Sequence, residues 1–297
     1  MKKKTKQTNY KKNATIQLDK LIFSCTSTLN DNFDEAVKSQ PEVAAEHQLN
    51  LNDTTLTQTI DNSHRYEYSY TVDYNENHMG QVYFCQYGFS WKDRVKFAVA
   101  NPVFYNNTQC YLSQVLDDLN LQIDNYTQID IAIDSYYFNS EQALRRGIRS
   151  KDTQLKISHS IIKDRNQDID NVVYDAKGSR NNPYKVRTIR IRDKSKNKEY
   201  CTYNKKNELK CKPVKSYILD FHKEVNPNFK NLYRAEMRLY YDAIKYYENV
   251  VIKRKITLDD LLDKEFLYSM FTNHRARLVS IKGKDKKEIC LHPNPLL

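Results

Sequence analysis

The sequence predicts an α+β protein built on a curved antiparallel sheet, with helices packed on one side and a small C-terminal helical module. Three observations predict it. Short stretches rich in Tyr, Val, Ile and Phe recur along the chain, several of them alternating apolar and polar residues as half-buried antiparallel strands do. Helical spacing is confined to a few segments, the longest of them near the C-terminus. The 297 residues, 39 % apolar and 29 % charged, suffice for one good core and at most one appended domain.

The elements follow in order. Residues 1–13 carry six lysines in the first twelve positions with no apolar pattern, and read as a disordered basic arm that touches phosphates without selecting a sequence. The main domain spans 14–252. Gln17 to Thr26 alternates as a first strand. Within the polar excursion 31–62, Asp31 to Asn62 sets only Lys38 against seven acids and holds Pro41 in a weakly helical pattern, which predicts a loop with a short helix. Tyr66 to Tyr74 and Gly80 to Tyr87 read as strands, and Lys92 to Phe104 continues the series until Pro102 interrupts it. Tyr111 to Leu121 has helical spacing and leads into a strand at Ile129 to Asp134. Glu141 to Arg149 is a short basic helix, and Leu155 to Ile162 and Asn171 to Tyr174 are strands. A basic hairpin runs out over Val186 to Arg192, turns at Lys194 to Lys198 and returns over Glu199 to Asn204. After a short apolar stretch at Tyr217 to Phe221 come a strand, Leu232 to Tyr240, and a helix, Asp242 to Val250. The C-terminal module, 253–297, opens with a helix capped by Thr257, with Asp260 three residues on.

The net charge of +11 favours a polyanionic partner, most simply nucleic acid, because each neutralised phosphate releases condensed counterions. An AT-rich coding sequence would also inflate Lys, Asn, Ile and Tyr, but it would spread them evenly. The charge is not even: Lys185 to Lys215 holds twelve basic residues against three acids.

Several classes are excluded or disfavoured. The six cysteines are scattered without a Cys-x-x-Cys pair and fit a reducing cytoplasm as ordinary thiols. No apolar core follows the N-terminal lysines, so no signal peptide is read there, and no run approaches the roughly 18 apolar residues of a membrane span. Five glycines leave little material for phosphate-cradling loops, which argues against nucleotide hydrolysis. No Cys/His cluster has zinc-ligand spacing.

The chemistry collects on three strands. Alternate side chains of a strand share a face. Ile129, Ile131 and Ile133 take one face, leaving Asp130, Ala132 and Asp134 on the other. Arg234, Glu236 and Arg238 oppose the apolar set of Tyr233 to Leu239, and Arg190 and Arg192 oppose Ile189 and Ile191. If these strands share a sheet, one face gathers three carboxylates among four arginines. A solvated outer face with cross-strand ion pairs would look similar. Two aspartates in one short strand nevertheless need compensation, because Asp is a poor strand residue, and a divalent cation bound by oxygen ligands supplies it.

Tyr203 stands on the return arm with Lys205 two residues on, on the same face if the strand persists, and Glu208 beyond the strand end. A phenol of pKa about 10 attacks phosphate well only when its anion is favoured, as a nearby ammonium or metal would favour it. Tyr200 is the rival on the same arm and faces the opposite way. This order (an Asp-bearing strand, a basic hairpin ending in Tyr-x-Lys-x-x-Glu, then Arg-x-Glu-x-Arg) resembles rolling-circle replication initiators of the Rep_trans type. That family includes initiators of small staphylococcal plasmids and is similar to the nicking-closing proteins of filamentous phages. The resemblance spans roughly residues 17 to 280.

The resemblance implies a metal-dependent nicking-closing enzyme that cuts and rejoins one DNA strand at a replication origin through a 5′-phosphotyrosine. It implies Tyr203 as nucleophile, supported by Lys205 and Glu208. Mg²⁺ or Mn²⁺ would sit on Asp134 and Glu236, with Asp130 a third acid. Arg190, Arg192, Lys194, Lys206, Arg234 and Arg238 would contact DNA. Implied partners are the origin DNA with its single-stranded nick site, a host helicase and a second copy of the chain; no membrane is expected. Family members often have an aromatic-rich basic strand leading into the tyrosine, whereas here the arginines lie on the outgoing arm. Two other strand-joining classes fail on spacing: the seven histidines include no His-hydrophobe-His pair, and His274-Arg275-Ala276-Arg277 is not the His-x-x-Arg of tyrosine recombinases. Two rivals remain, a plasmid or phage protein that binds DNA without cutting it, and a metal-dependent nuclease that uses water.

Overall fold

The structure, a computed structural model, describes residues 13–27, 48–59, 65–86, 94–158, 160–161, 173–176 and 188–297. The expectations for the basic arm through Lys12, for the polar excursion over 31–47 and 60–62 and for Val186 and Arg187 at the start of the hairpin lie outside them.

The fold is mixed α+β on a large, open, antiparallel sheet. The strands are β1 (Ala14–Ser27), β2 (Gln48–Leu51), β3 (Thr54–Thr59), β4 (Tyr66–Tyr74), β5 (Asn77–Gln86), β6 (Val95–Val99), β7 (Leu121–Ser135), β8 (Gln154–Ile157), β9 (Ser160–Ile161), β10 (Val173–Ala176), β11 (Thr188–Asp193), β12 (Lys198–Asn204), β13 (Tyr233–Tyr240) and β14 (Val279–Lys282). Among the described residues eleven of them form the main sheet in the order β10-β11-β12-β13-β7-β1-β6-β5-β4-β3-β2, and β14-β8-β9 form a small second one. The long central pair, β1 and β7, carries the core: Leu21, Phe23, Ile129, Ile131 and Ile133 are wholly buried. Each such side chain contributes about 1.5–3 kcal/mol by leaving water.

One expectation changes at the sheet's far edge. Part of the polar excursion is not a loop with a helix but the β2–β3 hairpin. Thr54 donates its hydroxyl to Asp118 at 2.7 Å and Leu56 is fully buried, so tertiary contacts hold a segment whose composition gave little sign of a strand.

The helices are α1 (Leu112–Asp118), α2 (Ser140–Arg149), α3 (Lys205–Lys210), α4 (Ser216–Val225), α5 (Tyr241–Tyr246), α6 (Leu258–Leu262) and α7 (Lys264–Leu278). Thr257 caps α6 as its spacing predicts, accepting from the Asp260 amide while Asp260 accepts from that of Thr257. The single helix expected there is two. Asp263 leaves the helical region and its carboxylate accepts from the Glu265 and Phe266 amides, ending α6 and starting α7. Leu267, Met270, Phe271, His274 and Leu278 form the buried stripe of α7. This stripe lies on the sheet: Phe271 meets the Tyr200 ring edge to face at 6.2 Å. The short apolar stretch at Tyr217 to Phe221 lies within α4. Among the described residues no helix is long and apolar enough to cross a membrane.

Candidate functional site

Strand register brings the charged residues of four strands into three parallel rows on the face opposite Tyr200. Tyr203 pairs with Arg234, Arg234 with Asp134, and Asp134 with Thr15. The next row runs Cys201, Glu236, Ala132, Gln17, and the third runs Glu199, Arg238, Asp130, Lys20. Tyr203 and Glu236 are therefore diagonal neighbours across β12 and β13, close enough for an aromatic side chain to bridge. The Tyr203 hydroxyl donates to Glu236 Oε2 at 2.7 Å. Tyr200 points the other way, is wholly buried, and donates to the Leu291 carbonyl at 3.2 Å.

The face is polar but enclosed. Tyr203 is 6 % exposed, Asp134 3 %, Glu236 1 % and Arg234 0 %. Burial, then the Glu236 charge, push the Tyr203 phenol well above its ordinary range, against the pull of Arg234. In this state Tyr203 is a proton donor and Glu236 the group poised to accept that proton.

Arg234 is the hub. Its Nε and Nη2 donate to the two Asp134 oxygens at 2.7 and 2.6 Å, Nη1 donates to Asp19 Oδ1 at 2.6 Å, and Nη2 also donates to the Tyr105 hydroxyl. Burial alone would raise the Asp134 and Asp19 carboxyls, but Arg234, joined by His222 at Asp134 and by Lys205, Tyr105 and Lys215 at Asp19, outweighs it and holds both well below the usual carboxylate range. Asp134 Oδ2 also lies 3.1 Å from His222 Nε2, and His222 Nδ1 lies 3.0 Å from the Tyr136 hydroxyl. Asp134, expected as a metal ligand, thus spends both oxygens on positioning Arg234 and His222. Arg234, expected against DNA, is an interior cation.

Lys205 reaches the site by a different route from the one its spacing suggests. The strand does not persist: Asn204 ends β12 and caps α3, its side chain accepting from the Asn207 amide. Lys205, 1 % exposed, stands in the first turn with Nζ 5.7 Å from the Tyr203 ring centre and 2.7 Å from Glu208 Oε2. Burial would raise Glu208, but Lys205 and Lys212 bring it down to about 2. Lys206 is turned away, donating to the Lys230 carbonyl beside the Phe229 ring. Arg190, Arg192 and Lys194 are exposed on the hairpin.

Beside Tyr203 lies a second carboxylate group. Arg238 Nε donates to Glu236 Oε1 at 2.6 Å and lies 3.8 Å from Asp130 Oδ2, while Nη1 donates to Glu199 at 3.2 Å. Burial first, then the Glu236 charge, push Asp130 from 3.8 up to about 7. Among the described residues no three His, Cys, Asp or Glu side chains converge as metal ligands. The pair that could serve a divalent ion is Asp130 with Glu236: two buried acids share one partly exposed guanidinium, Arg238. Mg²⁺ commonly takes one or two carboxylates and completes its shell with water and phosphate oxygens, so the donor set fits.

That raised carboxyl makes a prediction for stability. With the folded value near 7 and the unfolded one near 3.8, the folded state binds the proton more tightly, so stability falls as pH rises through this window. Asp130→Asn should therefore stabilise the metal-free protein by about 2–4 kcal/mol above pH 7 and by almost nothing below pH 4. Urea melts across that range check it; an unchanging difference rules the account out.

Asp19, Tyr105 and His222 escaped the sequence reading. Asp19 had a signal: Ile16 and Leu18 are buried on one parity, Leu21, Phe23 and Cys25 on the other. The parity break marks the bulge between Leu18 and Lys20 that presents Asp19 to Arg234. Tyr105 and His222 had none, since their elements alone do not show where they dock.

No family model and no curated protein matches the sequence. Among solved structures, a rolling circle replication initiator protein from Geobacillus stearothermophilus is similar over 91 % of this chain and 86 % of its own, with TM-score 0.45 and 12 % identity. So slight a likeness carries no weight for function.

Proposed function

We propose that the chain initiates rolling-circle replication by nicking and rejoining one DNA strand through Tyr203. The observation that carries this reading is the 2.7 Å hydrogen bond from the Tyr203 hydroxyl to Glu236, which pairs a candidate nucleophile with a base. Glu236 takes the phenolic proton, Tyr203 Oη bonds to phosphorus, and the bond from phosphorus to the 3′ oxygen breaks. The leaving oxygen collects a proton from water and stands as a 3′ hydroxyl able to prime synthesis. The 5′ phosphate stays on Tyr203, conserving the bond energy for resealing without ATP. Lys205 Nζ, ion-paired with Glu208, stands 5.7 Å from the ring centre, where an ammonium would favour the developing phenolate. Asp134 and Asp19 hold Arg234 rigid under Tyr203, and the exposed Arg190, Arg192 and Lys194 contact the DNA backbone. Asp130 and Glu236 would hold Mg²⁺ or Mn²⁺, which supplies charge withdrawal from the scissile phosphate.

The burial of Tyr203 favours a second reading, a protein that binds DNA without cutting it. One experiment separates the two. The purified chain is incubated with Mn²⁺ and a supercoiled plasmid carrying its own replicon, and open circles are examined for linked protein. Mass spectrometry should place the DNA adduct on the tryptic peptide containing Tyr203, and Tyr203→Phe, checked for folding by circular dichroism, should remove it. An adduct on another tyrosine, or nicking that survives in Tyr203→Phe, defeats this mechanism. Binding with no nick selects the second reading.

A further inference from the structure

On the opposite face of the sheet, at the far end of β12 from Tyr203, lies a second cleft. It has a volume of about 500 Å³ and opens between the β11–β12 turn, helix α5 with the turn that follows it, and α7. Its lining includes Lys196, Lys198, Lys245 and Arg277 against a single carboxylate, Asp242. Asp242 is already engaged by the Asn197 side-chain amide, and Lys245 by Glu248 at 2.7 Å. The Arg277 guanidinium lies over the Tyr246 ring at 4.8 Å, a contact that leaves its edge free to donate.

Lys198 is the anomaly. It is only 7 % exposed, and among the described residues its ammonium has neither an acceptor nor an ion-pair partner. The nearby Asp193 carboxylate is occupied by the Ser158 and Ser195 hydroxyls and the Lys196 amide. A lysine so enclosed normally has a counter-charge in direct contact, whereas Asp193 acts on Lys198 only from beyond ion-pair distance. Burial lowers its pKa; the Asp193 charge pulls it back up, and the neighbouring Arg277 and Lys196 charges add to the lowering. His274 forms part of the same wall, buried, with neither ring nitrogen bonded among the described residues.

We propose that this cleft is a phosphate-binding site in which Lys198, Lys196 and Arg277 receive the oxygens of a phosphate group carried by a nucleic-acid strand or a free nucleotide. A phosphate has the charge the cations lack and enough acceptor oxygens for all three. A carboxylate ligand would satisfy fewer donors. The site is separate from Tyr203 and does not depend on how that residue is read.

The test titrates the full-length protein with inorganic phosphate in place of chloride at constant ionic strength, following the thermal midpoint. Phosphate should raise the midpoint of the wild type. Lys198→Met should remove that rise, and the exposed Lys196→Gln, which disturbs no packing, should weaken apparent phosphate affinity about tenfold. Tyr203→Phe should respond like the wild type. AMP and a short single-stranded oligonucleotide then compete with phosphate: competition by AMP alone assigns a free nucleotide, and competition by the oligonucleotide that Lys196→Gln weakens assigns a strand. Equal response to phosphate and chloride, or a full response in both variants, overturns the site. Phosphate binding that neither competitor displaces overturns the nucleotide and strand assignment.

Discussion

Arg234→Met lowers folding stability by about 3–5 kcal/mol, the largest effect expected of any single substitution in the site. The guanidinium is wholly buried and neutralises two carboxylates, Asp134 and Asp19, while donating to Tyr105. Methionine fills much of the volume but leaves two interior acids without a cation. Removing one partner of a buried ionic network costs far more than the network contributes over an apolar replacement. The loss should shrink as pH falls. Arg234 holds both acids below their usual range, so in the wild type they contribute stability that is present above the unfolded carboxylate pKa and disappears in acid; the variant lacks that contribution. Combining Arg234→Met with Asp134→Asn and Asp19→Asn should recover much of the loss. Urea denaturation at neutral and acid pH reads all of this, and a loss below about 1 kcal/mol for the single variant would show that the cluster is not the electrostatic hub described.

If the chain nicks DNA through Tyr203 as proposed, Glu236→Gln should slow that reaction by about 10²–10⁴-fold while leaving the protein folded. The amide oxygen can still accept from the Tyr203 hydroxyl, so the geometry survives and the proton acceptor does not. Its amide nitrogen meets Arg238, which keeps Glu199 as partner. The substitution also removes the charge that helps hold Asp130 up, so the Asp130 carboxyl should titrate lower in the variant. This second readout matters because it does not depend on activity. Single-turnover nicking, with Asp130 followed by NMR, gives both. An unchanged nicking rate beside a lowered Asp130 would clear Glu236 of the role of base.

Much of the architecture was legible because strand alternation survives in the sequence wherever one face is buried. Ile129, Ile131 and Ile133 on one parity and Asp130 and Asp134 on the other predicted which way β7 faces, and the same reasoning separated Tyr203 from Tyr200. The Thr257 cap was legible because capping chemistry is local. The β2–β3 hairpin was not: its residues are mostly Thr, Asn and Gln, and Leu56 is buried only because other strands lie beside it. The Lys205 turn was missed for a related reason. Asn204 can cap a helix or stay in a strand, and Lys206 donating its backbone amide to the Leu232 carbonyl belongs to the folded chain alone.

The sequence by itself determined a curved antiparallel sheet, the parity of its acids and the concentration of positive charge on one hairpin. These follow from the two-residue period of a strand and from composition, which need no partner. Only the tertiary structure decided which acid meets which base. Strand register set Asp134 against Arg234 rather than beside Glu236, and a bulge in β1 added Asp19 to that pair. Register is a long-range choice among strands far apart in the chain, settled by packing of the whole sheet.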